Sequence, residues 1–210
     1  MSKADIERLT SQLLEQELPT PDEGDWGPRH DDEDELGSQH NVVVPPSGVG
    51  WHRHSRGGGY VQNTATVSPT AYVGSQAKVY GHARVTGGAR VFGFATVGGY
   101  AQVSDYARIL GSARVYDNAV IGDAVNISGD ARIYGEATVF GTAIVTGYAR
   151  ILGSARVYDN ASIGDAANIS GDARIYGEAS VFGTAIVTGD ARVGGHSVLY
   201  TGYHTTGVYE

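Results

Sequence analysis

From Ala65 to Gly202 the sequence divides without a gap into 23 consecutive hexapeptides, such as ARVTGG and ARVFGF. The first position is alanine in 21 of them, and the third is valine or isoleucine in 22. The fifth position is glycine in 15 and aspartate in 5. A fixed period of this kind indicates a chain in which each repeat packs against neighbouring repeats of the same design.

Each position of the hexapeptide has a physical role. Alternate side chains of a strand point to the same side, so positions one and three face a common interior. Positions two and four then point outward, and they vary, as Arg84 with Thr86 and Thr138 with Phe140 illustrate. Glycine and aspartate at position five tolerate the dihedral angles of tight turns. The pattern therefore predicts a short strand followed by a bend, repeated along the chain.

This pattern, in which an aliphatic residue such as Val85 is followed four positions later by a small one such as Ala89, resembles that of the hexapeptide-repeat proteins. The resemblance covers residues 65–202, about two-thirds of the chain. It implies an all-β fold, a left-handed parallel β-helix with three hexapeptides in each triangular coil and about 7–8 coils here. Left-handed crossovers are exceptional in proteins, so the handedness is implied by the resemblance alone.

Residues 107–148 and 149–190 are near copies of one another. They differ at four positions, namely Val120/Ser162, Val125/Ala167, Thr138/Ser180 and Tyr148/Asp190. Each copy contains seven hexapeptides, which is not a multiple of three, so the second copy should be rotated by about a third of a turn. We expect two outward arginine columns on different sides, one formed by Arg114, Arg132 and Arg150 beside Tyr116 and Tyr134, the other by Arg156, Arg174 and Arg192 beside Tyr158 and Tyr176. Such a copy preserves the interior and moves the outward residues to another side. The duplication is therefore better explained as a way to lengthen the coil than as a way to repeat a binding site.

The charge of the chain is concentrated near its N-terminus. Residues 1–45 contain 12 acidic and 3 basic residues, whereas residues 65–202 contain 10 of each. An acidic segment on a neutral body argues against nucleic-acid binding. No apolar run approaches the ~20 residues of a membrane span, no signal peptide is visible, and cysteine is absent. We therefore expect cytoplasmic synthesis, no membrane association and no cofactor.

The segment before the repeats divides into two parts. Residues 1–18 predict a short amphipathic helix, with Ser2 and Asp5 as a capping pair and four apolar residues at helical spacing, namely Ile6, Leu9, Leu13 and Leu14. Such a helix is marginal alone in water, so these four residues are candidate contacts with a trimer bundle, with the repeats of the same chain or with another protein. Residues 19–64 have the composition of an acidic arm with proline and glycine, followed by an entry segment. Trp26 and Trp51 lie within this part, so we expect it to become ordered on a protein partner. Residues 203–210 are expected to cap the C-terminal end.

Outward aromatic residues of the repeats are candidates for subunit or partner contacts, namely Phe92, Phe140, Tyr158 and Tyr176. Since members of the hexapeptide-repeat family usually associate as trimers, the resemblance implies a homotrimer. His52 and His54 would point the same way on a strand, and around a trimer axis they are candidate metal ligands; the alternative is an exposed polar loop. The arginine and tyrosine columns are either a solvated surface, with arginines paired to Asp130, Glu136 or Asp172, or a site for an anionic ligand or glycan.

The resemblance also implies an alternative activity, which is acyl transfer from acyl-CoA. Those enzymes usually carry a catalytic histidine on or near a loop that interrupts the coils, whereas here the repeats are uninterrupted and contain only His82 and His196. A carbonic anhydrase of the same family needs three converging zinc ligands, which the spacing of His82, His196 and His204 does not supply. We therefore assign no catalytic residue.

The sequence favours a non-enzymatic structural protein. Uninterrupted arrays of the ARVYG type behind a GGG-aromatic-Val entry resemble proteins of bacteriophage genomes. The resemblance implies a capsid decoration protein or a short fibre, associated with the virion and attached through residues 1–64 to a phage capsid or tail protein.

Overall fold

The computed structural model describes residues 50–210, which form 27 short strands and no helix. The strands lie in three sheets, here called faces I, II and III, which the chain visits in that order once per coil. The prediction of an all-β parallel coil is confirmed. The predicted helix of residues 1–18, with Ile6, Leu9, Leu13 and Leu14, lies outside the described residues, as does Trp26.

The strands are grouped by face. Face I contains β1 Trp51–Arg53, β2 Tyr60–Gln62, β5 Lys78–Val79, β8 Thr96–Val97, β11 Arg114–Val115, β14 Arg132–Ile133, β17 Arg150–Ile151, β20 Asn168–Ile169, β23 Ile186–Val187 and β26 Tyr203–His204. Face II contains β3 Thr66–Val67, β6 Arg84–Val85, β9 Gln102–Val103, β12 Val120–Ile121, β15 Thr138–Val139, β18 Arg156–Val157, β21 Arg174–Ile175, β24 Arg192–Val193 and β27 Val208–Tyr209. Face III contains β4 Tyr72–Val73, β7 Arg90–Val91, β10 Arg108–Ile109, β13 Asn126–Ile127, β16 Ile144–Val145, β19 Ser162–Ile163, β22 Ser180–Val181 and β25 Val198–Leu199.

Successive strands of a face are parallel and pair with a constant offset. Arg114 of β11 pairs with Thr96 of β8 on one side and with Arg132 of β14 on the other, in each case 18 residues away. Three hexapeptides therefore complete one coil, as the resemblance implied. The eight to ten strands per face correspond to a solenoid of about eight coils.

The interior follows the predicted rule. Position one from Ala71 to Ala191 and position three from Val73 to Val193 are 0% exposed throughout. Between Ala71 and Val193 the inner side carries alanine followed by valine or isoleucine, with Val125 as the one exception at position one, so successive coils present nearly the same narrow surface to each other. Because the buried side chains are alike on all three faces, the core continues unchanged across the boundary between the two copies.

The corners explain the choice of residue at position five. All 15 glycines and all five aspartates of this position have positive φ, and for the aspartates φ lies between 53° and 59°. Each aspartate also accepts a hydrogen bond from the backbone N–H of the corner residue one coil later, as in Gly141 to Asp123 at 2.9 Å and Gly183 to Asp165 at 2.9 Å. Aspartate is among the residues that most readily adopt left-handed backbone angles, and its carboxylate satisfies a donor that glycine leaves to solvent.

Both ends of the solenoid depart from the repeat. At the N-terminal end β1 pairs antiparallel with β2, and Val61 is buried, so the core begins one hexapeptide before Ala65. At the C-terminal end Val187 pairs with His204 and Val193 with Tyr209, which shortens the offset. The His204 and Tyr209 rings meet edge to face with centroids 5.0 Å apart. These half-buried rings stand where the regular coils have valine or isoleucine, and they close the end.

Candidate binding surface

The arginine columns lie where the copy length predicts. Arg114, Arg132 and Arg150 are in register on face I, from β11 to β17. Their counterparts Arg156, Arg174 and Arg192 are in register on face II, from β18 to β24. The second copy is therefore rotated by one face relative to the first, which confirms the expected third of a turn.

A tyrosine pair accompanies each column. Tyr116 and Tyr134 stack on face I with centroids 5.0 Å apart and planes at 6°, and Tyr158 and Tyr176 stack on face II at 5.5 Å and 9°. Burial, with a smaller contribution from Tyr134, raises the pKa of Tyr116 to about 12. The Tyr176 hydroxyl donates a hydrogen bond to Glu210 Oε1 at 3.0 Å, and this bond is the main cause of its raised pKa.

The predicted aromatic contact residues are brought together in part. Phe140, Tyr158 and Tyr176 occupy successive coils of one column on face II, whereas Phe92 lies beside β7 on face III. All four are half-buried, as is Trp51 in β1. They form parts of different surfaces, and their role in subunit contact stays a prediction.

The most exposed aromatic residues of the repeats are at position six, which the sequence argument did not consider. Phe94, Tyr100, Tyr106 and Tyr148 are 59%, 62%, 76% and 69% exposed. The first three occupy successive corners of one coil. The signal was present in the sequence, because position six is otherwise occupied mainly by small, polar or charged residues. Side chains at a corner project further from the solenoid than those on a face, which explains their exposure.

The histidines have separate surroundings. His52 is exposed with Nδ1 2.9 Å from Asn63 Oδ1, whereas His54 follows the end of β1 and is only 7% exposed. His82 stacks on Tyr100, and His196 Nδ1 lies 2.9 Å from Glu178 Oε2. Among residues 50–210 no group of three or more histidine, cysteine, aspartate or glutamate side chains is arranged to hold a metal ion. Metal binding by His52 and His54 of several subunits stays a prediction.

An open groove of about 590 Å³ runs along face II and its corner with face I. It is lined by Glu136, Thr138, Phe140, Ser154, Arg156, Val157, Tyr158, Asp172 and Arg174. The first three belong to the end of the first copy and the others to the second copy. We call it the junction groove, because it spans the boundary between the copies.

The junction groove combines both signs of charge with an aromatic wall. Arg156 and Arg174 lie one coil apart on face II, and Glu136 and Asp172 lie at the corner beside them. Within the described part of the chain, none of these four side chains forms a hydrogen bond or an ion pair. The alternative in which these arginines pair with Glu136 or Asp172 is therefore not what the structure contains.

Comparison with known proteins supports the solenoid. A family model described as the YdcK beta solenoid repeat matches residues 77–93, which cover β5 to β7. No curated protein matches the chain. The matched segment and the parallel coils together define a repeat protein of the β-solenoid type. In the described residues no helix is long and apolar enough to cross a membrane.

Proposed function

We propose that this chain is a non-enzymatic structural protein, a β-solenoid spacer that associates as a homotrimer and is attached to a larger assembly through residues 1–64. The observation that carries the proposal is the rotation of the second copy by one face. A copy out of phase with the coil moves every surface feature to another side, yet it continues the same core. Duplication of this kind adds length and is indifferent to which face a side chain occupies.

Removal of one copy tests the spacer. Deletion of residues 149–190 joins residues 191–210 to a coil that differs at only a few positions from the one they now contact. We expect the shortened protein to fold, to lose about 11 Å of length from 4.8 Å strand spacing, and to stay attached to its assembly. The matched control is deletion of residues 149–184, which removes two whole coils without rotation.

The two deletions distinguish a spacer, which needs only length, from a protein whose assembly depends on one particular face. Small-angle scattering measures the length, and co-purification with the native assembly measures attachment. If only the rotating deletion abolished assembly or attachment, a particular face would be required and the spacer proposal would fail. Binding of acyl-CoA accompanied by turnover would also contradict the proposal, and it would favour the alternative function, acyl transfer from acyl-CoA.

The exposed aromatic corners support a subunit contact in the unduplicated coils. Phe94 and Tyr100 flank β8, in a part of the chain that has no rotated copy. A contact confined to these coils avoids placing equivalent residues on both contacting and free sides. We expect Phe94→Ser with Tyr100→Ser to yield monomers in light scattering, whereas Tyr148→Ser, an equally exposed aromatic corner in the first copy, leaves the trimer intact. A trimer that survives the first substitution places the contact elsewhere.

Two finer features belong to the same proposal. We infer a left-handed winding from the hexapeptide pattern, because the family that it resembles winds in this direction. We also infer a phage capsid decoration or short fibre role from the uninterrupted repeats behind the GGG-aromatic-Val entry at residues 57–61. The expected result is that an antibody to the chain labels purified virions, and that a chain lacking residues 1–45 keeps its solenoid but is absent from the particles. Virions that carry no such chain would exclude this role.

A further inference from the structure

We propose that the junction groove on face II binds a neutral oligosaccharide. This goes beyond the spacer role, because a spacer needs no ligand. In the part of the chain that the structure describes, the junction groove brings unpaired arginine donors, unpaired carboxylate acceptors and aromatic rings together on one face.

The polar lining suits a ligand made of hydroxyl groups. The guanidinium groups of Arg156 and Arg174 offer only donors, and the carboxylates of Glu136 and Asp172 offer only acceptors. These two pairs of opposite charges leave the lining without net charge. A sugar hydroxyl both donates and accepts, so it can engage both kinds of side chain. An anion would also meet the two carboxylates, and an apolar ligand would bury four charged groups without partners.

The aromatic wall suits the C–H faces of sugar rings. Phe140 lies over Gly122, where an added Cβ would be 2.7 Å from the Phe140 ring. Tyr158 follows one coil later and is backed by the stacked ring of Tyr176. Aromatic rings present apolar faces with a defined geometry, and the tyrosine hydroxyl adds a polar edge. Since the strands beside the groove, β15, β18 and β21, span about 10 Å at 4.8 Å spacing, the groove is long enough for a disaccharide segment of such a ligand.

Face I carries a near copy of this lining and provides an internal control. Ser112, Arg114, Tyr116, Asp130 and Arg132 are the counterparts of Ser154, Arg156, Tyr158, Asp172 and Arg174. The preceding coil differs, because Phe94 and Gly98 stand on face I where Glu136 and Phe140 stand on face II. The ring of Tyr80 covers Gly98, and Arg132 already has an interaction within the protein. Face I thus lacks both the Glu136 carboxylate and the Phe140 wall.

Calorimetric titration of the full chain with defined hexasaccharides tests the site. The probes are maltohexaose, cellohexaose, xylohexaose, mannohexaose and chitohexaose, with hexagalacturonate as the acidic comparison. We expect at least one neutral hexasaccharide to bind with little dependence on salt. Arg156→Ala with Arg174→Ala should weaken binding by about tenfold or more, as expected for lost hydrogen bonds from charged groups.

The matched variants decide whether the binding belongs to the junction groove. Arg114→Ala with Arg132→Ala removes the same two residues from face I and should leave the affinity unchanged. Phe140→Ala should weaken binding, whereas Phe182→Ala, its counterpart in the second copy, should not. The proposal is overturned if no neutral hexasaccharide binds, if the face I variant loses as much affinity as the face II variant, or if hexagalacturonate alone binds and is released by salt. None of these results bears on the spacer role, which the deletions test.

Discussion

The two copies, residues 107–148 and 149–190, carry nearly the same side chains among different neighbours. Tyr116 of the first copy lies one coil after Gly98 on face I, whereas Tyr158 of the second copy lies one coil after Phe140 on face II. Arg132 engages other groups of the protein, while its counterpart Arg174 has no partner in the described residues. Identical local sequence therefore gives different surface chemistry, because each side chain lies beside residues that are 18 positions away.

The interior of the two copies shows the opposite behaviour. Ile121 on face II and Ile163 on face III are both fully buried. Ile121 pairs between Val103 and Val139, and Ile163 lies between Val145 and Val181. Rotation by one face replaces these stacked neighbours with residues of the same type, and the inward-facing buried positions of the two copies differ only at Val125, which is Ala167 in the second copy. The comparison thus separates a core that is insensitive to rotation from a surface that depends on it.

The largest expected effect tests the equivalence of the interiors. Ile121→Ala and Ile163→Ala should each lower the free energy of unfolding by about 2–5 kcal/mol, since each leaves a cavity in a fully buried position. We expect the two losses to agree within about 1 kcal/mol, because the stacked neighbours are of the same type, although the buried Val125 follows Ile121 where the smaller Ala167 follows Ile163. Urea unfolding followed by circular dichroism measures both. A difference above about 1 kcal/mol would break the equivalence of the faces.

A smaller effect tests the corners. Asp165→Gly should lower the free energy of unfolding by about 0.5–1.5 kcal/mol, since it removes the hydrogen bond from Gly183 N–H. Its counterpart Asp123 lies one coil after Asp105, whereas Asp165 lies one coil after Gly147. Asp123→Gly should therefore lower the free energy of unfolding by less, because it also removes the repulsion between the Asp123 and Asp105 carboxylates. Thermal unfolding of the two variants provides the comparison, and equal losses would show that the neighbouring charge has no effect at these exposed corners.

The smallest expected effect concerns alkaline stability. The unfolded chain ionises its tyrosines near their ordinary pKa of 10.0, whereas folding raises the pKa of Tyr116 to about 12. The protonated phenol is thus favoured in the folded state, and stability present below pH 10 is lost as the pH rises from 10.0 to about 12. Tyr116→Phe should reduce this loss, and Tyr158→Phe should leave the Tyr116 contribution in place. Urea midpoints across this pH range measure it, and identical profiles for wild type and Tyr116→Phe would contradict the argument.

Much of the fold follows from the hexapeptide alone. Alanine at position one and valine or isoleucine at position three predict the buried side of every strand, and glycine or aspartate at position five predicts the corners. The arginine columns followed from the copy length once the coil was taken as three hexapeptides. The exposed aromatic corners were missed because strand alternation describes positions two and four but does not say how far a corner side chain projects. The bulky end at His204 and Tyr209 was expected only as a cap, since it departs from the repeat.

The sequence by itself determined the strand, the bend, the composition of the core and the existence of a rotated copy, because these depend on side-chain alternation and on local backbone preferences. Only the tertiary structure decided which surface side chains find partners and which line an open groove. The junction groove brings Glu136 beside Arg156 and Phe140 beside Tyr158, residues from different copies that lie about one coil apart in the chain. Such contacts depend on the coil length and on which side chains find partners, as Arg174 and Arg132 show. The sequence of a single hexapeptide specifies neither the length of the coil nor the partners of its outward side chains.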